Sequence, residues 1–359
     1  MKAVLLCAGA GTRLRPLTYC RPKHLLPVAG RPVLDRVLGS LADAGVDEAI
    51  FVVSPSETAL QAYVDDGSRW GMEAEFCVQP EPLGLAHALA CARGEIGEDE
   101  RFLMYLGDDL LGDGVTDFAE EFMSSDAAAS LIVKPVEDPR AFGVVVVEDG
   151  VVTRLVEKPQ DPPSDLAIVG VYGFGPEIWE AVDAIEPSAR GEFEITDAID
   201  YLVAAQQRVE CHVTDGFWAD AGSPAALLRA NEFFLRTMEH EVSGQVDADS
   251  LVAEQVTVSA GAELKGAHIL GPCFIGPGCV IEDSPIGPNV SLGAGSRLHY
   301  VEMRDSIVGE ETVIDDVGGT LSDCVIGDRA RVVLVRPADP GSLTLLLADE
   351  STIAPPNGE

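Results

Sequence analysis

Between residues 251 and 332 aliphatic side chains recur every six positions, and no other feature limits the fold as tightly. Val252, Val258 and Leu264 form one series, Ile269, Ile275 and Ile281 a second, Ile286, Leu292 and Leu298 a third, and Val308 and Ile314 a fourth. Glycine follows the aliphatic at Gly276, Gly287, Gly293, Gly309 and Gly327, and helical periodicity is absent. This pattern predicts a parallel β-helix, in which each side of a triangular coil supplies one inward aliphatic and glycine relieves the corner. It is similar to the left-handed hexapeptide-repeat form.

The chain before this repeat has a different texture. Short apolar runs at 3–6, 49–53, 75–78 and 102–106 alternate with helix-period segments, which predicts an α/β sheet. The first helix, 32–44, carries Val33, Val37, Leu38 and Leu41 on one face and stops at Gly45. Ser54, Pro55 and Glu57 form a capping pattern for a second helix. After Arg140 longer β runs, 144–147 and 151–156, are joined through Glu148, Asp149 and Gly150 as a hairpin, and helices return at 195–205 and 224–238. The expected organisation is therefore a first domain over 1–240, a β-helix over 245–335 and a tail over 336–359. In that tail Leu343 to Leu347 are expected to cap the solenoid or meet a partner.

Acidic residues outnumber basic ones 60 to 24, for a formal charge of -36, and they are scattered along the chain. No basic patch is present to hold a phosphate backbone, so nucleic-acid and anionic-membrane partners are not expected. The lysines are five (Lys2, Lys23, Lys134, Lys158 and Lys265), and a diffuse acidic, lysine-poor surface fits a high-salt, halophilic cytoplasm. At about 1 M salt the Debye length is roughly 3 Å, so self-repulsion is screened while direct contacts survive. The eight cysteines lack metal-ligand spacing and read as small core residues in a reduced compartment. With no apolar run long enough for a signal or a span, a cytoplasmic location is expected.

The chemistry concentrates near the N-terminus, in LCAGAGTRLRP followed by Arg21, Pro22 and Lys23. Glycines after a strand let backbone N–H groups approach an anion. The loop lacks the GxxxxGK[ST] of a Walker motif, and Leu14 stands where a dinucleotide fingerprint has its third glycine. Lys23, kept in a lysine-poor chain, supplies a compact charge for a polyphosphate.

A glycine-rich loop ending in GTR and followed by PK resembles the signature of the sugar-1-phosphate nucleotidylyltransferases. VQPEPLGLA (78–86), LGDD (106–109), FGV (142–144), EKP (157–159), RGEFEITD (190–197) and WADAG (218–222) follow in that family's order. With the β-helix, the resemblance is strongest to the long form of glucose-1-phosphate thymidylyltransferases. It implies a Rossmann-like nucleotidyltransferase domain with a mostly parallel mixed sheet, ahead of a left-handed β-helix. It also implies that Gly9, Gly11, Thr12, Arg13 and Lys23 grip the triphosphate, Arg13 and Lys23 being catalytic, and that Gln79 and Gly84 receive the base. Gly143, Glu157, Lys158, Ile168 and Arg190 are assigned to the sugar phosphate, and Asp108 and Asp220 to Mg²⁺.

The expected substrates are dTTP or UTP and a sugar 1-phosphate. No Ser/His/Asp or Cys/His nucleophile is needed, because a phosphomonoester with a second pKa near roughly 6 is already ionised. His24 and His87 therefore read as outside the chemistry. Three positions depart from the family pattern: Ala8 replaces a glycine, Asp109 an asparagine and Ile168 a valine. Two other readings stand beside this one: a bifunctional nucleotidylyltransferase/N-acetyltransferase using His268 or His299, and an inactive regulatory relative. The solenoid is expected to serve homo-oligomerisation.

Overall fold

The computed structural model describes residues 1–148, 151–333, 335 and 341–355. It divides into two compact units whose segments interleave. The first comprises Met1–Gly9 and Leu34–Trp218, the second Ala10–Val33 and Ala219–Glu359. A cut along the chain at about 240 thus differs from this grouping, because the loop after the first strand belongs with the second unit.

Nine strands build the sheet of the first unit: β1 (Lys2–Leu6), β2 (Glu48–Val53), β3 (Glu73–Val78), β4 (Phe102–Leu106), β5 (Ala129–Pro135), β6 (Gly143–Glu148), β7 (Val151–Glu157), β8 (Leu166–Phe174) and β9 (Val209–Val213). The order is β7-β6-β8-β4-β1-β2-β3, with β5 pairing both β8 and β9. β1 lies parallel between β2 and β4, whereas β8 runs antiparallel to β4, so the sheet is mixed. Strands covered on both faces read as unbroken apolar runs, which is why residues 3–6 and 49–53 are wholly buried. The expected hairpin forms between β6 and β7, with Val151 opposite Glu148; its turn residues Asp149 and Gly150 lie outside the described residues.

Helix α1 (Val33–Asp43) ends as the sequence predicts: Gly45 takes a φ of 78°, and Val46 N–H donates to Leu41 O at 3.0 Å. Helix α2 (Ala59–Val64) starts later than its capping pattern implies. Residues 54–57 close a turn instead, and Glu57 Oε1 accepts from Leu60 N at 3.0 Å, so the acid caps the helix from outside it. Four helices follow in this unit: α3 (Leu85–Cys91), α4 (Thr116–Ser124), α5 (Ile178–Ala184) and α6 (Ile195–Ala204). α3, α5 and α6 bury Leu89, Ile178 and Ile199 in one cluster with Val4, Met104 and Phe174.

In the second unit, α7 (Pro224–Thr237) leads into three parallel sheets of seven, seven and six short strands, the arrangement of a left-handed β-helix. Its core stacks one aliphatic per side: Val258 on Ile275, Leu264 on Ile281, Ile269 on Ile286. The six-residue series therefore run round each coil, and the vertical stacks join residues from successive coils. Met303 and Leu321 fill the third side in later coils but fall off the six-residue spacing, so the repeat did not reveal them. Corner glycines are enforced by the neighbouring coil: a Cβ on Gly287 would meet Leu270 O at 1.9 Å. Strands Ser342–Leu343, Leu346–Leu347 and Thr352–Ile353 pair with Thr320–Ser322, Val325–Ile326 and Arg331–Val333. The solenoid thus runs on past residue 335, and Leu343 and Leu347 belong to its last coil.

Among the described residues no helix is long and apolar enough to cross a membrane. Cys273 and Cys279 sit in the solenoid core, where burial pushes their thiols up to about 12 and about 11.

Candidate active site

The first unit gathers one cluster around the β6–β7 hairpin. Register sets Gly143 opposite Glu157 at the hairpin's open end, and Lys158 follows with a φ of 41° and its N–H on Phe142 O at 3.0 Å. Lys158 Nζ reaches Glu157 Oε1 at 3.0 Å, and Arg190 Nη2 lies 3.5 Å from the same oxygen. A Cβ on Gly143 would stand 2.6 Å from Thr196 Cγ2, 3.0 Å from Ile168 Cδ1 and 3.2 Å from Glu157 Oε2. Gly143, Glu157, Lys158, Ile168 and Arg190 are thereby brought together.

Two further residues belong to this cluster. Thr196 Oγ1 donates to Glu157 Oε2 at 3.2 Å, and the buried Glu194 accepts from Arg190 Nε at 3.1 Å and Nη2 at 2.8 Å and from Ser188 Oγ at 2.8 Å. Burial works against the Arg190 charge, but hydrogen bonds and charge from Glu194, joined by Glu192 and Glu157, hold its pKa above the ordinary value. Nearby, burial and the Glu194 and Glu157 charges raise the Asp197 carboxyl.

A second group lies beyond β3. Gln79 is almost fully buried, and its amide nitrogen donates to Gly84 O at 3.1 Å and to His87 Nδ1 at 3.0 Å. Gly84 has a φ of 108°, and a Cβ there would stand 2.4 Å from Phe193 O. Phe193 N–H donates to Leu83 O at 2.7 Å and Phe193 O accepts from Ala86 N at 3.1 Å, so residues 83–86 are laced to the RGEFEITD segment. His87 also stacks on the Phe193 ring, its centroid 6.5 Å away. The sequence places His87 outside the chemistry and gives Phe193, inside RGEFEITD, no role of its own, since backbone lacing leaves no residue-type signature.

Asp108 and Asp109 follow β4, both nearly buried. Trp218 Nε1 donates to Asp109 Oδ1 at 2.7 Å, and a Cβ on Gly170 would collide with Asp109 Oδ2 at 2.1 Å. The second acid of LGDD is therefore committed to the packing of its own unit.

In the second unit, Gly11 takes a left-handed φ of 58° and opens a short 3₁₀ turn, Thr12–Leu14, while Gly9 ends the first unit's opening segment. Thr18 Oγ1 donates to Gly11 O at 2.8 Å, and a Cβ on Gly11 would meet Thr18 Cγ2 at 2.9 Å and Lys23 Cβ at 3.3 Å. Arg13 reaches out to solvent and pairs through Nη2 with Asp220 Oδ2 at 3.0 Å, while Asp220 Oδ1 accepts from Gly222 N at 2.8 Å. Gly11, Thr12, Arg13, Lys23 and Asp220 share one locale, whereas Asp108 belongs to the first unit. Among the described residues, no three His, Cys, Asp or Glu side chains gather as a metal-holding group.

His24 lies wholly buried beside Lys23, with neither ring nitrogen hydrogen-bonded among the described residues. Burial, with the Lys23 charge adding, holds its pKa well below 6.5. Above about pH 6.5 the ring is neutral folded or unfolded; below it the unfolded chain takes up a proton that the folded one refuses. Stability is therefore expected to fall as pH drops from 6.5, and His24→Leu is expected to flatten that loss. Urea unfolding at pH 7.5 and 5.5 checks this, equal pH losses in the two proteins being the contrary result.

The nucleotidyl transferase family model matches residues 2–237. Over 357 residues the chain is 38% identical to the low-salt glycan biosynthesis nucleotidyltransferase Agl11 of Haloferax volcanii, covering 98% of this chain and 99% of that one. Over 355 residues it is 39% identical to a glucose-1-phosphate thymidylyltransferase of Streptomyces antibioticus, with 98% and 99% covered. Among solved structures, a UDP-glucose pyrophosphorylase complexed with UDP-glucose superposes with a TM-score of 0.60 at 25% identity, covering 66% of this chain and 99% of that one.

Proposed function

Because the chain belongs to the nucleotidyl transferase family, we propose that it transfers a thymidylyl group from dTTP to glucose 1-phosphate, releasing pyrophosphate and forming dTDP-glucose. Sugar-1-phosphate nucleotidyltransferase activity, of the EC 2.7.7 class, comes with the family. The base and the sugar are the finer assignment. The observation that carries the base is Gln79: Gly84 O and His87 Nδ1 take both amide hydrogens and leave Oε1 as an acceptor. An acceptor at that point suits the N3–H of thymine or uracil and opposes cytosine, whose N3 is itself an acceptor. The thymidylyltransferase relative, alike over nearly the full length, favours thymine; the pyrophosphorylase structure with UDP-glucose keeps uracil as the second reading.

Repulsion between two polyanions is the reaction's first obstacle, the more so in a chain of charge -36. Arg13 and Lys23 would neutralise the triphosphate, with Gly9, Gly11 and Thr12 offering close backbone approach. Lys158 and Arg190 would receive the sugar phosphate, while Glu157, held by Thr196, would accept from sugar hydroxyls beside Gly143 and Ile168. A sugar-phosphate oxygen forms the new bond to the α-phosphorus, the bond from that phosphorus to the bridging oxygen breaks, and pyrophosphate leaves with its electron pair. Alignment and charge compensation suffice, without a covalent intermediate.

Asp108 and Asp220 would each offer Mg²⁺ a hard carboxylate oxygen, the donor type this ion takes together with substrate phosphate oxygens and water. Bound there, the ion supplies charge to the triphosphate oxygens.

Pyrophosphate release in high salt is the test, with dTTP, UTP, CTP, ATP and GTP each offered against glucose, galactose, mannose and N-acetylglucosamine 1-phosphates. Fastest turnover with dTTP and glucose 1-phosphate is expected. A preference for UTP would replace the base assignment, and silence with every pair would overturn the activity.

A further inference from the structure

The loop that carries Arg13 and Lys23 is built onto the solenoid, although it follows the first strand of the other unit. Arg21, two residues before Lys23, has its guanidinium between two aspartates of successive coils. Nε and Nη2 donate to Asp349 Oδ2 at 3.1 and 2.8 Å, and Nη2 also pairs with Asp328. All three side chains are largely buried.

The aspartates are themselves fixed by the coils. Asp328 Oδ1 accepts from Glu310 N and Asp349 Oδ1 from Asp328 N, each at 2.9 Å. A Cβ on Gly309 would strike Asp328 Oδ1 at 2.3 Å, and one on Gly327 would strike Asp349 Oδ1 at 2.4 Å. These two corner glycines therefore make room for the carboxylates that hold Arg21.

Further along the same loop, the buried Asn231 ties it down again. Its Oδ1 accepts from Ala29 N at 2.9 Å and Ser291 Oγ at 2.8 Å, and its Nδ2 donates to Asn289 O at 3.1 Å. Gly30 packs on the Phe274 ring, 2.3 Å from where its Cβ would be. From Arg21 the constraint passes through the 3₁₀ turn Lys23–Leu25 to Gly11, which abuts Lys23 Cβ, and so to Arg13.

We propose that the β-helix is a positioning part of the nucleotidyl-transfer site, with Arg21, clamped by Asp328 and Asp349, setting the placement of Lys23 and Arg13. The inference rests on the reading that Arg13 and Lys23 hold the triphosphate. Arg21 touches no substrate; it acts through the loop. Exchange of the clamp should therefore disturb the triphosphate and spare the sugar phosphate, whose cluster lies in the first unit.

The experiment uses the full chain in high salt, below the unfolding temperature of every variant. Arg21→Ala and the double variant Asp328→Asn/Asp349→Asn are each expected to raise the KM for the nucleoside triphosphate about tenfold and to lower kcat, leaving the sugar-phosphate KM within twofold. Arg21→Lys is expected to recover part of the loss. Should Arg21→Ala leave triphosphate KM and kcat unchanged, or raise both KM values equally, the positioning role is overturned. Arg13→Ala separates the two claims: if it leaves triphosphate KM and kcat unchanged while wild-type turns over, the triphosphate reading fails and the inference falls with it.

Discussion

Arg13→Ala is expected to lower kcat/KM by about 10²- to 10³-fold, the loss that follows removal of one donor aimed at developing phosphate charge. The side chain is exposed, and its recorded ion pair, with Asp220 at 3.0 Å, lies where an exposed pair contributes only about 0–1 kcal/mol. Unfolding temperature should therefore stay nearly unchanged while activity collapses. Arg13→Lys should recover only part, since an ammonium replaces the charge without the planar fork. Steady-state kinetics with the preferred nucleotide, beside a thermal melt, decide the matter. An activity loss that tracked a large drop in melting temperature would instead mark Arg13 as structural.

Gly84→Ala should act in the opposite manner, on fold and base together. The residue has a φ of 108°, and the new Cβ would lie 2.4 Å from Phe193 O and 2.7 Å from Phe193 N. Neither contact is with a flexible side-chain end, so the backbone must shift. The strained conformation alone costs about 1–3 kcal/mol. Movement also threatens the Phe193–Leu83 and Ala86–Phe193 hydrogen bonds, and with them the carbonyl that orients Gln79. We expect a lower melting temperature and triphosphate affinity weakened at least tenfold, read by calorimetric titration at a temperature where the variant is folded. Unchanged affinity would remove Gly84 from the base site.

The sequence determined the periodic and contiguous features. A six-residue aliphatic period has one economical packing, so the solenoid was legible at Val258, Leu264 and Ile275 without any partner being known. Strand β1 and helix α1 were equally legible, because burial on both faces and a stop at Gly45 are written in consecutive residues. Motif order also pointed to Glu157, Lys158 and Arg190, which the first unit gathers within 3.5 Å of one carboxylate oxygen.

Only the tertiary structure decided what those residues lean on. Glu194, Thr196, His87 and Phe193 lie within or beside the quoted motifs, yet nothing in their spacing said that they hold Arg190, Glu157, Gln79 and Gly84. Met303 and Leu321 escape the six-residue period because loops of uneven length break the count while the coil stays in register. Arg21 stands beside Pro22 and Lys23 in the quoted stretch, but nothing along the chain pairs it with Asp328 and Asp349, which are two of many acids and lie more than 300 positions away. Periodicity is a local property and can be read along the chain, whereas a hydrogen bond to a distant carboxylate or a neighbour's backbone exists only once folding has brought the two together.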